Sequence, residues 1–468
     1  MTAPVPGSGG RLGPGRPAVR TAWRRAGVGM LIRRGVRTTR RRTRWRRHMD
    51  RPSVVRSLVW VLAAGACAGL WACAGPAKGP AEREEAAGTF AFWPVFPDEP
   101  RIQFVRAFSG SEDVAPTRKS GLERIVFGPE AEAEAFINKP YGVAMRGGRI
   151  YVCDMRGAAL TVLDLKARQT RLVGTSGVNR LSHPVDVEVT PDGTIYVADN
   201  ERGAILVYDE RERYSSMIGF PKFKPVSLAA FGDRLYAADM NAQVVQVFDR
   251  RSGEKVGSIG TVGDEDGQFR LPLGVATDRE GNVYVVDMMR CRVQKFAPDG
   301  RFLAGFGAMG DYAGTFARPK HIDVDADGVV YVVDAAFQNV QMFDEKFQLL
   351  MSFGAVGEFP GALNLPAGIC VSDDEVGLEA PRIHPGLEPR RFVVVTSQFG
   401  VEKVSLYVRG DLRAPYTAAD LAKAAATVST GVGEVTPERL RLQEQGGEPE
   451  PVERAPPGAP PPPAPPKP

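Results

Sequence analysis

Short runs of apolar residues, four or five residues long, alternate with polar turns along the middle of the chain. Between Pro319 and Gly354, HIDV is followed by DADG, VVYVV by DAAFQN, VQMF by DEKFQ, and LLMSF by a glycine. Runs rich in Val, Ile, Phe and Tyr that are separated by Asp, Gly and Asn predict antiparallel strands joined by tight turns. Because a lone four-stranded sheet exposes apolar surface, this unit needs neighbours of its own kind.

The same unit recurs at a nearly constant spacing. Copies open with prolines at positions 140, 184, 225, 272, 319 and 366, and the sixth copy is degenerate. A period of 41 to 47 residues with four strands in each unit indicates a β-propeller.

The sixth copy of the unit contains only three of the four expected strands, near 366–372, 391–396 and 401–408. The segment RIQFVRAFSG at 101–110 has the form of the missing outermost strand. We therefore predict an all-β, six-bladed propeller over residues 99–410. An N-terminal strand at 101–108 would close the ring, because an open ring leaves blade faces and a sheet edge exposed.

The best copy runs from Pro272 to Phe296 and reads PLGVATD, then GNVYVVD, then VQKF. This pattern resembles the NHL repeat family, and more narrowly the six-bladed NHL lipoproteins of Gram-negative bacteria. The resemblance spans about residues 101–410 and implies four antiparallel strands in each of six blades. NHL propellers host scaffolds, sensors and a few enzymes, so the resemblance implies a fold rather than one function.

Charge is distributed unevenly along the chain. Residues 1–48 hold 14 Arg and no Lys, Asp or Glu, so they are either a basic disordered extension or the product of a start assigned ahead of Met49. Since the whole chain has a net charge of +5, residues 49–468 are acidic, at −9. An acidic propeller argues against nucleic-acid binding, which needs a basic surface.

The segment 49–72 has the features of a lipoprotein signal peptide. Two arginines precede the apolar run 58–70, which is too short to span a bilayer stably. The run ends at LWAC, and the lipoprotein resemblance implies cleavage before Cys73, diacylation of that cysteine, and location in the cell envelope, in the periplasm or at the outer membrane. Cys67 is a second candidate, and an ordinary cleaved signal with an incidental cysteine is the alternative.

The remaining segments flank the propeller. Residues 73–98 are rich in Ala, Glu and Pro and are predicted to form a tether. The sequence TAAD at 417–420 predicts a capping box that opens a short helix within an extension at 411–445. The tail at 446–468 is mostly Pro, Glu, Gly and Ala and is predicted to be disordered.

Recurring carboxylates and scattered cysteines indicate structural roles. Cys153, Cys291 and Cys370 are expected to be small buried side chains rather than a disulfide framework. The Tyr-x-x-Asp element places an aspartate at the end of the second strand in five units. These carboxylates are expected to accept backbone N–H groups of the turn that follows. They are Asp154, Asp199, Asp239, Asp287 and Asp334.

Departures from the repeat mark the candidate site. Two positions of each innermost strand face the axis with the same parity, and most blades hold small residues there. Blades two and five carry polar residues at both positions, and opposite blades of a six-membered ring face each other. These side chains are therefore predicted to meet in the channel. The candidates are Asp186, Glu188, Ser227, His321 and Asp323, with Cys370 beside them.

Three interpretations of this cluster stay open. The first is a solvated channel that tolerates polar residues. The second is a cation site in which Asp186, Glu188, His321 and Asp323 hold calcium, or zinc if further imidazoles join. The third is a catalytic site with His321 as base. Asp186, Ser227 and His321 are the residue types of a hydrolase triad, but no nucleophile elbow accompanies them.

The favoured function is non-enzymatic. The family resemblance implies a monomeric propeller that presents a rigid ring of loops to a protein, or to a glycan, in an envelope complex. The alternative is a metal-dependent lyase or hydrolase at the channel. Some similar propellers are lyases whose metal is held by three histidines from separate blades, and His183 and His384 are poorly placed to join His321.

Overall fold

The computed structural model describes residues 90–114, 136–373 and 376–425. These residues form an all-β propeller of six blades, whose antiparallel strands are ordered from the axis outward; five blades have four strands, and the sixth has a short fifth strand in addition. The innermost strand of each blade packs against those of its two neighbours, and the sixth packs against the first. The predicted fold class is confirmed.

The blades follow the chain in order. Blade one contains β3 (Pro140–Arg146), β4 (Arg149–Asp154), β5 (Ala159–Asp164) and β6 (Gln169–Val173). Blade two contains β7 (Pro184–Val189), β8 (Ile195–Asp199), β9 (Ala204–Tyr208) and β10 (Tyr214–Gly219). Blade three contains β11 (Pro225–Phe231), β12 (Arg234–Asp239), β13 (Val244–Asp249) and β14 (Lys255–Ile259).

The second half of the ring is built in the same way. Blade four contains β17 (Pro272–Thr277), β18 (Val283–Asp287), β19 (Arg292–Phe296) and β20 (Phe302–Phe306). It is preceded by a short parallel pair, β15 (Thr261–Val262) and β16 (Gln268–Phe269). Blade five contains β21 (Pro319–Val324), β22 (Val330–Asp334), β23 (Asn339–Phe343) and β24 (Leu349–Phe353). Blade six contains β25 (Pro366–Ser372), β26 (Leu387–Ser397), β27 (Val404–Leu412), β2 (Ile102–Phe108) and β1 (Phe92–Trp93).

Blade six joins the two ends of the described chain. β2 pairs antiparallel with β27, from Ile102 to Phe108, so closure by the strand predicted at 101–108 is confirmed. β1 adds a fifth strand beside β2, and it falls within 73–98, where only a tether was predicted. Trp93 is fully buried and packs edge-on against the ring of Tyr407, which explains why so short a strand is held in place.

Apolar side chains form six separate clusters, one in each interface between adjacent blades. Alternate residues of each strand face opposite sides of the blade, so every blade contributes to two clusters. The cluster between blades six and one contains Phe108 of β2, and the cluster between blades five and six contains Ile102. The closing strand therefore supports both interfaces of blade six.

The aspartate of each Tyr-x-x-Asp element connects two loops to its blade. Asp334 accepts the N–H groups of Ala336 and Phe337 in the following turn, at 2.8 and 3.1 Å, as predicted. It also accepts the N–H groups of Ala317 and Arg318, just before the opening proline, at 2.7 and 3.1 Å. The sequence did not indicate this second contact. The carboxylate thus fixes the start of the innermost strand.

The other four aspartates also receive N–H groups from the segment before their proline. The donors are the backbone N–H groups of Asn138, Lys139, Ser182, His183, Lys224, Arg270 and Leu271. The aspartate side chains are almost fully buried, and burying a carboxylate without hydrogen bonds would cost free energy. The repeat therefore specifies the entry loops as well as the strands.

The capping box predicted at 417–420 is present. Thr417 caps the helix α1 (Ala418–Ala422), with reciprocal hydrogen bonds to Asp420. Segments 1–48, 49–72, 426–445 and 446–468, together with Cys73 and most of 73–98, lie outside the described residues. No helix within 90–114, 136–373 or 376–425 has the length and apolar content needed to cross a membrane.

Ring closure can be tested with two truncated chains. A chain that begins at residue 111 lacks β1 and β2, so β27 becomes an exposed edge and two interfaces lose buried side chains. We expect its melting temperature to fall by at least about 10 °C. A chain that begins at residue 90 keeps both strands and serves as the matched control. Equal melting temperatures by calorimetry would contradict closure by this strand.

Candidate functional site

A cavity of about 190 Å³ lies on the propeller axis. The innermost strands of all six blades line it. Three of the innermost strands line the cavity with small side chains, those of Ala144, Ala229 and Ala276. The other three innermost strands contribute Glu188, Asp323 and Cys370. At about 30 Å³ for a water molecule, the cavity has room for a few waters or one small ligand.

Asp186 and His321 meet across the axis. His321 Nε2 lies 3.2 Å from Asp186 Oδ2 and 3.3 Å from Ser227 Oγ, and all three side chains are buried. The backbone N–H of Leu228 donates to Asp186 Oδ2 at 2.7 Å, and that of Val275 donates to Ser227 Oγ at 3.0 Å. Blades two, three, four and five are therefore connected by one buried polar cluster at the axis.

The geometry of this cluster does not match a hydrolase triad. A triad uses one imidazole nitrogen for the serine and the other for the aspartate. Here the same nitrogen, Nε2 of His321, faces both partners, and Nδ1 faces neither of them. Ser227 Oγ already accepts a backbone N–H. The three residues are brought together, as the ring geometry requires, but they are not arranged to transfer a proton from serine to aspartate.

The small residues at the third position of the repeat have a steric cause. A Cβ atom built on Gly142 would lie 2.1 Å from Asp186 Oδ1, and one on Gly368 would lie 2.1 Å from the carbonyl oxygen of Tyr141. Both distances are far below van der Waals contact. Glycine is therefore required in blades one and six so that the neighbouring strands and the Asp186 carboxylate can approach the axis.

Glu188 and Asp323 are half-buried, and both line the cavity. Burial, with the charges of Asp323 and Asp186, raises the pKa of Glu188 to about 8. Burial also raises the pKa of Asp323 to about 6, although the N–H groups of Val324 and Val371 bind its two oxygens at 2.8 and 2.7 Å. At neutral pH the cavity thus contains a protonated glutamic acid.

His321 behaves differently from the acids. Burial disfavours the charged imidazolium, but the Asp186 carboxylate outweighs that effect, so the pKa of His321 is raised. The Asp186 carboxylate thus favours the protonated form of His321, whereas a general base must accept a proton. This direction of the pKa shift disfavours the catalytic interpretation of His321.

The predicted cation site has no geometric support. Among the residues that the structure describes, no group of three or more His, Cys, Asp and Glu side chains is arranged to hold a metal ion. Asp186 and His321 bind each other, and both oxygens of Asp323 accept backbone N–H groups. Three of the four predicted ligands, Asp186, His321 and Asp323, are therefore already hydrogen-bonded within the protein. Glu188 is the fourth, and its carboxyl takes no part in those hydrogen bonds.

The remaining predicted residues take no part in the contacts among Asp186, Ser227 and His321. His384 packs among the rings of Phe90, Phe92 and Tyr416, in the connection between β25 and β26. The His183 N–H binds Asp199 in an entry loop. Cys370 lines the cavity, and Cys153 and Cys291 are buried; all three are free thiols, as expected.

Two functional candidates were missed by the sequence reasoning. Arg146, at the end of β3, lines the cavity, where its Nε donates to the carbonyl of Val189 at 3.0 Å. Lys320, directly after the proline that opens blade five, is a buried lysine at the channel mouth. Signals existed for both: Arg146 continues the inward parity of β3, and Lys320 occupies a position where the other blades have Tyr, Val, Val, Leu and Ala.

Comparison with known proteins gives a partial match. The NHL repeat family model matches residues 181–208, in blade two. Matched solved structures include a streptogramin B lyase (11% identity, TM-score 0.41, covering 58% of this chain and 94% of that chain). Others are virginiamycin B lyase from Staphylococcus aureus (9%, 0.42, 58% and 95%) and a protein of unknown function from Bacteroides thetaiotaomicron (17%, 0.45, 59% and 70%). At these scores the structural likeness carries no argument about this chain.

The raised pKa of Glu188 predicts a pH-dependent stability. The folded protein keeps a proton that the unfolded chain releases between about pH 4.5 and 8, so stability falls as the pH rises through that window. Glu188→Gln removes the titrating group. We expect the variant to exceed the wild type in unfolding free energy at pH 8 by on the order of 2 kcal/mol, with no difference near pH 4.5.

Urea unfolding at both pH values measures this difference. The matched control is Glu210→Gln, which changes an exposed glutamate between β9 and β10 and should leave the stability profile unaltered. Parallel profiles for the wild type and Glu188→Gln would show that the channel environment does not favour the protonated acid.

Proposed function

We propose that this protein is a non-enzymatic scaffold of the cell envelope, and that it binds a protein partner on one face of the ring. The loop face is the side formed by the loops that enter each innermost strand and by the turns between second and third strands. The turn face is the opposite side. An NHL propeller fold is consistent with such a scaffold, and the channel side chains engage one another rather than forming catalytic machinery.

The observation that carries the proposal is the distribution of exposed apolar side chains. The most exposed large apolar residues among those described all lie on the loop face, and Val178 and Val401 are 89% and 84% exposed. The set is Phe136, Val178, Val262, Met289, Met309, Val356, Phe399 and Val401. Apolar patches on a protein surface mark sites of interaction with other molecules, and the shared face of these side chains supports such a site there.

The loop face is also rigidly held. The buried aspartates fix the entry loops and the turns beside them through the hydrogen bonds described above. In blade six, the turn that carries Phe399 and Val401 is held on two sides, by Asn364 and by Ser109, whose side chain donates to the carbonyl of Val401. A preorganised surface binds with a smaller loss of conformational entropy.

The envelope location rests on the leader sequence. An apolar run at 58–70 followed by Cys73 supports a lipid anchor, which would hold the propeller at a membrane surface. Cys73 lies outside the described residues, so the anchor stays a prediction. A tethered scaffold needs only one accessible face, and the loop face supplies the exposed apolar contacts.

Site-specific photo-crosslinking tests the proposal. A photoreactive residue placed at Phe399, on the loop face, should crosslink one partner in intact cell envelopes. The same residue at Leu350, on the outer strand β24, is the matched control, because the two positions are 58% and 52% exposed. Val401→Asp should abolish the Phe399 crosslink. A partner captured equally at both positions, or at Leu350 alone, would contradict a loop-face scaffold.

A further inference from the structure

The two faces of the propeller differ in how their cations are neutralised. On the turn face, arginines form ion pairs with neighbouring carboxylates, for example Arg171 with Glu212 at 2.6 Å and Arg250 with Asp192 at 2.7 Å. On the loop face, many cations have no carboxylate within ion-pair distance among the described residues. These are Lys139, Arg156, Arg180, Arg202, Lys222, Lys224, Arg318, Lys320 and Lys403.

Blade four is the part of the loop face where cations are neutralised. Arg270 and Arg292 pair there with Asp264 and Asp266 of the same loop region. The unpaired cations belong to the other blades. In the part of the chain that the structure describes, the loop face thus combines exposed apolar side chains with cations that lack a carboxylate within ion-pair distance, since the recurring aspartates of that face bind backbone N–H groups instead.

Lys320 is the most unusual of these cations, because it is only 9% exposed. Its Nζ lies 3.3 Å from Oε1 of Gln398, a neutral amide, and 5.6 Å from the centre of the Tyr141 ring. The side chain therefore reaches from blade five to blades six and one across the loop-face end of the channel. A buried ammonium without a carboxylate partner is energetically costly.

The surroundings of Lys320 increase this cost. Burial, with the charges of Arg318 and Lys139, lowers the pKa of Lys320 to about 8. Lys403 approaches the same glutamine, since its Nζ donates to the backbone carbonyl of Gln398 at 3.4 Å. Asp334 favours the Lys320 charge, but both of its oxygens already accept backbone N–H groups. Glu402, next to Lys403, interacts with Gly361 instead.

We propose that the loop face binds an acidic segment of a protein partner, and that one carboxylate of this segment pairs with Lys320 at the channel mouth, flanked by Arg318 and Lys139. This inference rests on the scaffold function proposed above and specifies the chemistry of the partner. Leucine-like side chains of the segment would contact the exposed apolar residues, and its acidic groups would neutralise the unpaired cations. Desolvated ion pairs at the centre of an interface contribute strongly to binding.

A protein segment fits these features better than a membrane surface does. The Lys320 ammonium is recessed, and a planar layer of lipid headgroups cannot project a single anion into a recess. An acidic side chain or a chain terminus can extend into it and leave the surrounding backbone on the loop face. Lipid binding is therefore treated as the competing outcome of the test.

The test uses the propeller chain and a synthetic probe. A fluorescein-labelled peptide of alternating Glu and Leu is titrated with the protein, and binding is followed by fluorescence anisotropy. Lys320→Met removes the charge and keeps the length of the side chain. We expect it to weaken binding by at least about tenfold, and Lys320→Arg to restore part of the affinity.

Two further variants make the result specific. Lys346→Met, which removes an exposed lysine in the turn before β24 on the turn face, should leave binding unchanged. Arg318→Gln changes an exposed residue and should weaken binding several-fold, which covers the case in which Lys320→Met fails to fold. A control peptide with Gln in place of Glu should not bind.

Three results would overturn the inference. They are equal affinity of Lys320→Met and the wild type, absence of peptide binding by the wild type, and binding to vesicles with about one third phosphatidylglycerol in place of the peptide. If the peptide fails while Phe399 still crosslinks one partner, the acidic-segment inference is wrong and the scaffold function stands. If the crosslink fails too, both are wrong.

Discussion

Closure of the ring is the constraint on which the rest of the molecule depends. Six blades can share six apolar interfaces only when the strand Ile102–Phe108 completes blade six, and the sixth innermost strand then packs against the first. Closure also decides which residues oppose each other at the axis. Asp186 and His321 are far apart in sequence, and their contact exists because blades two and five stand on opposite sides of a closed circle.

The axis and the loop face have different roles in this architecture. At the axis, polar side chains bind one another or backbone N–H groups, which connects the blades and leaves a cavity without a metal-binding or triad arrangement among the described residues. On the loop face, exposed apolar side chains lie among cations that have no carboxylate within ion-pair distance in the described part of the chain. Under the function proposed above, the loop face binds the partner and the axis holds the ring together.

The repeat period was sufficient to predict the blades, the closing strand and the opposition of Asp186 and His321, because each follows from spacing and symmetry. Other features depend on side-chain direction, which spacing does not contain. The fifth strand at Trp93 is held by buried aromatic contacts within a segment of strand-breaking composition. The shared use of His321 Nε2 depends on the orientation of the imidazole ring, and the contact of Lys320 Nζ with an amide rather than a carboxylate depends on which side chains fold against it.

The most direct test of this account is the protonation state of His321, observed by nuclear magnetic resonance of histidine labelled with ¹⁵N. The account predicts an imidazolium that persists above pH 6.5 in the wild type and titrates at lower pH in Asp186→Asn, because burial then acts without the opposing carboxylate. The signal of His183 serves as internal control. A His321 titration that is the same in both proteins would show that the two blades do not meet at the axis.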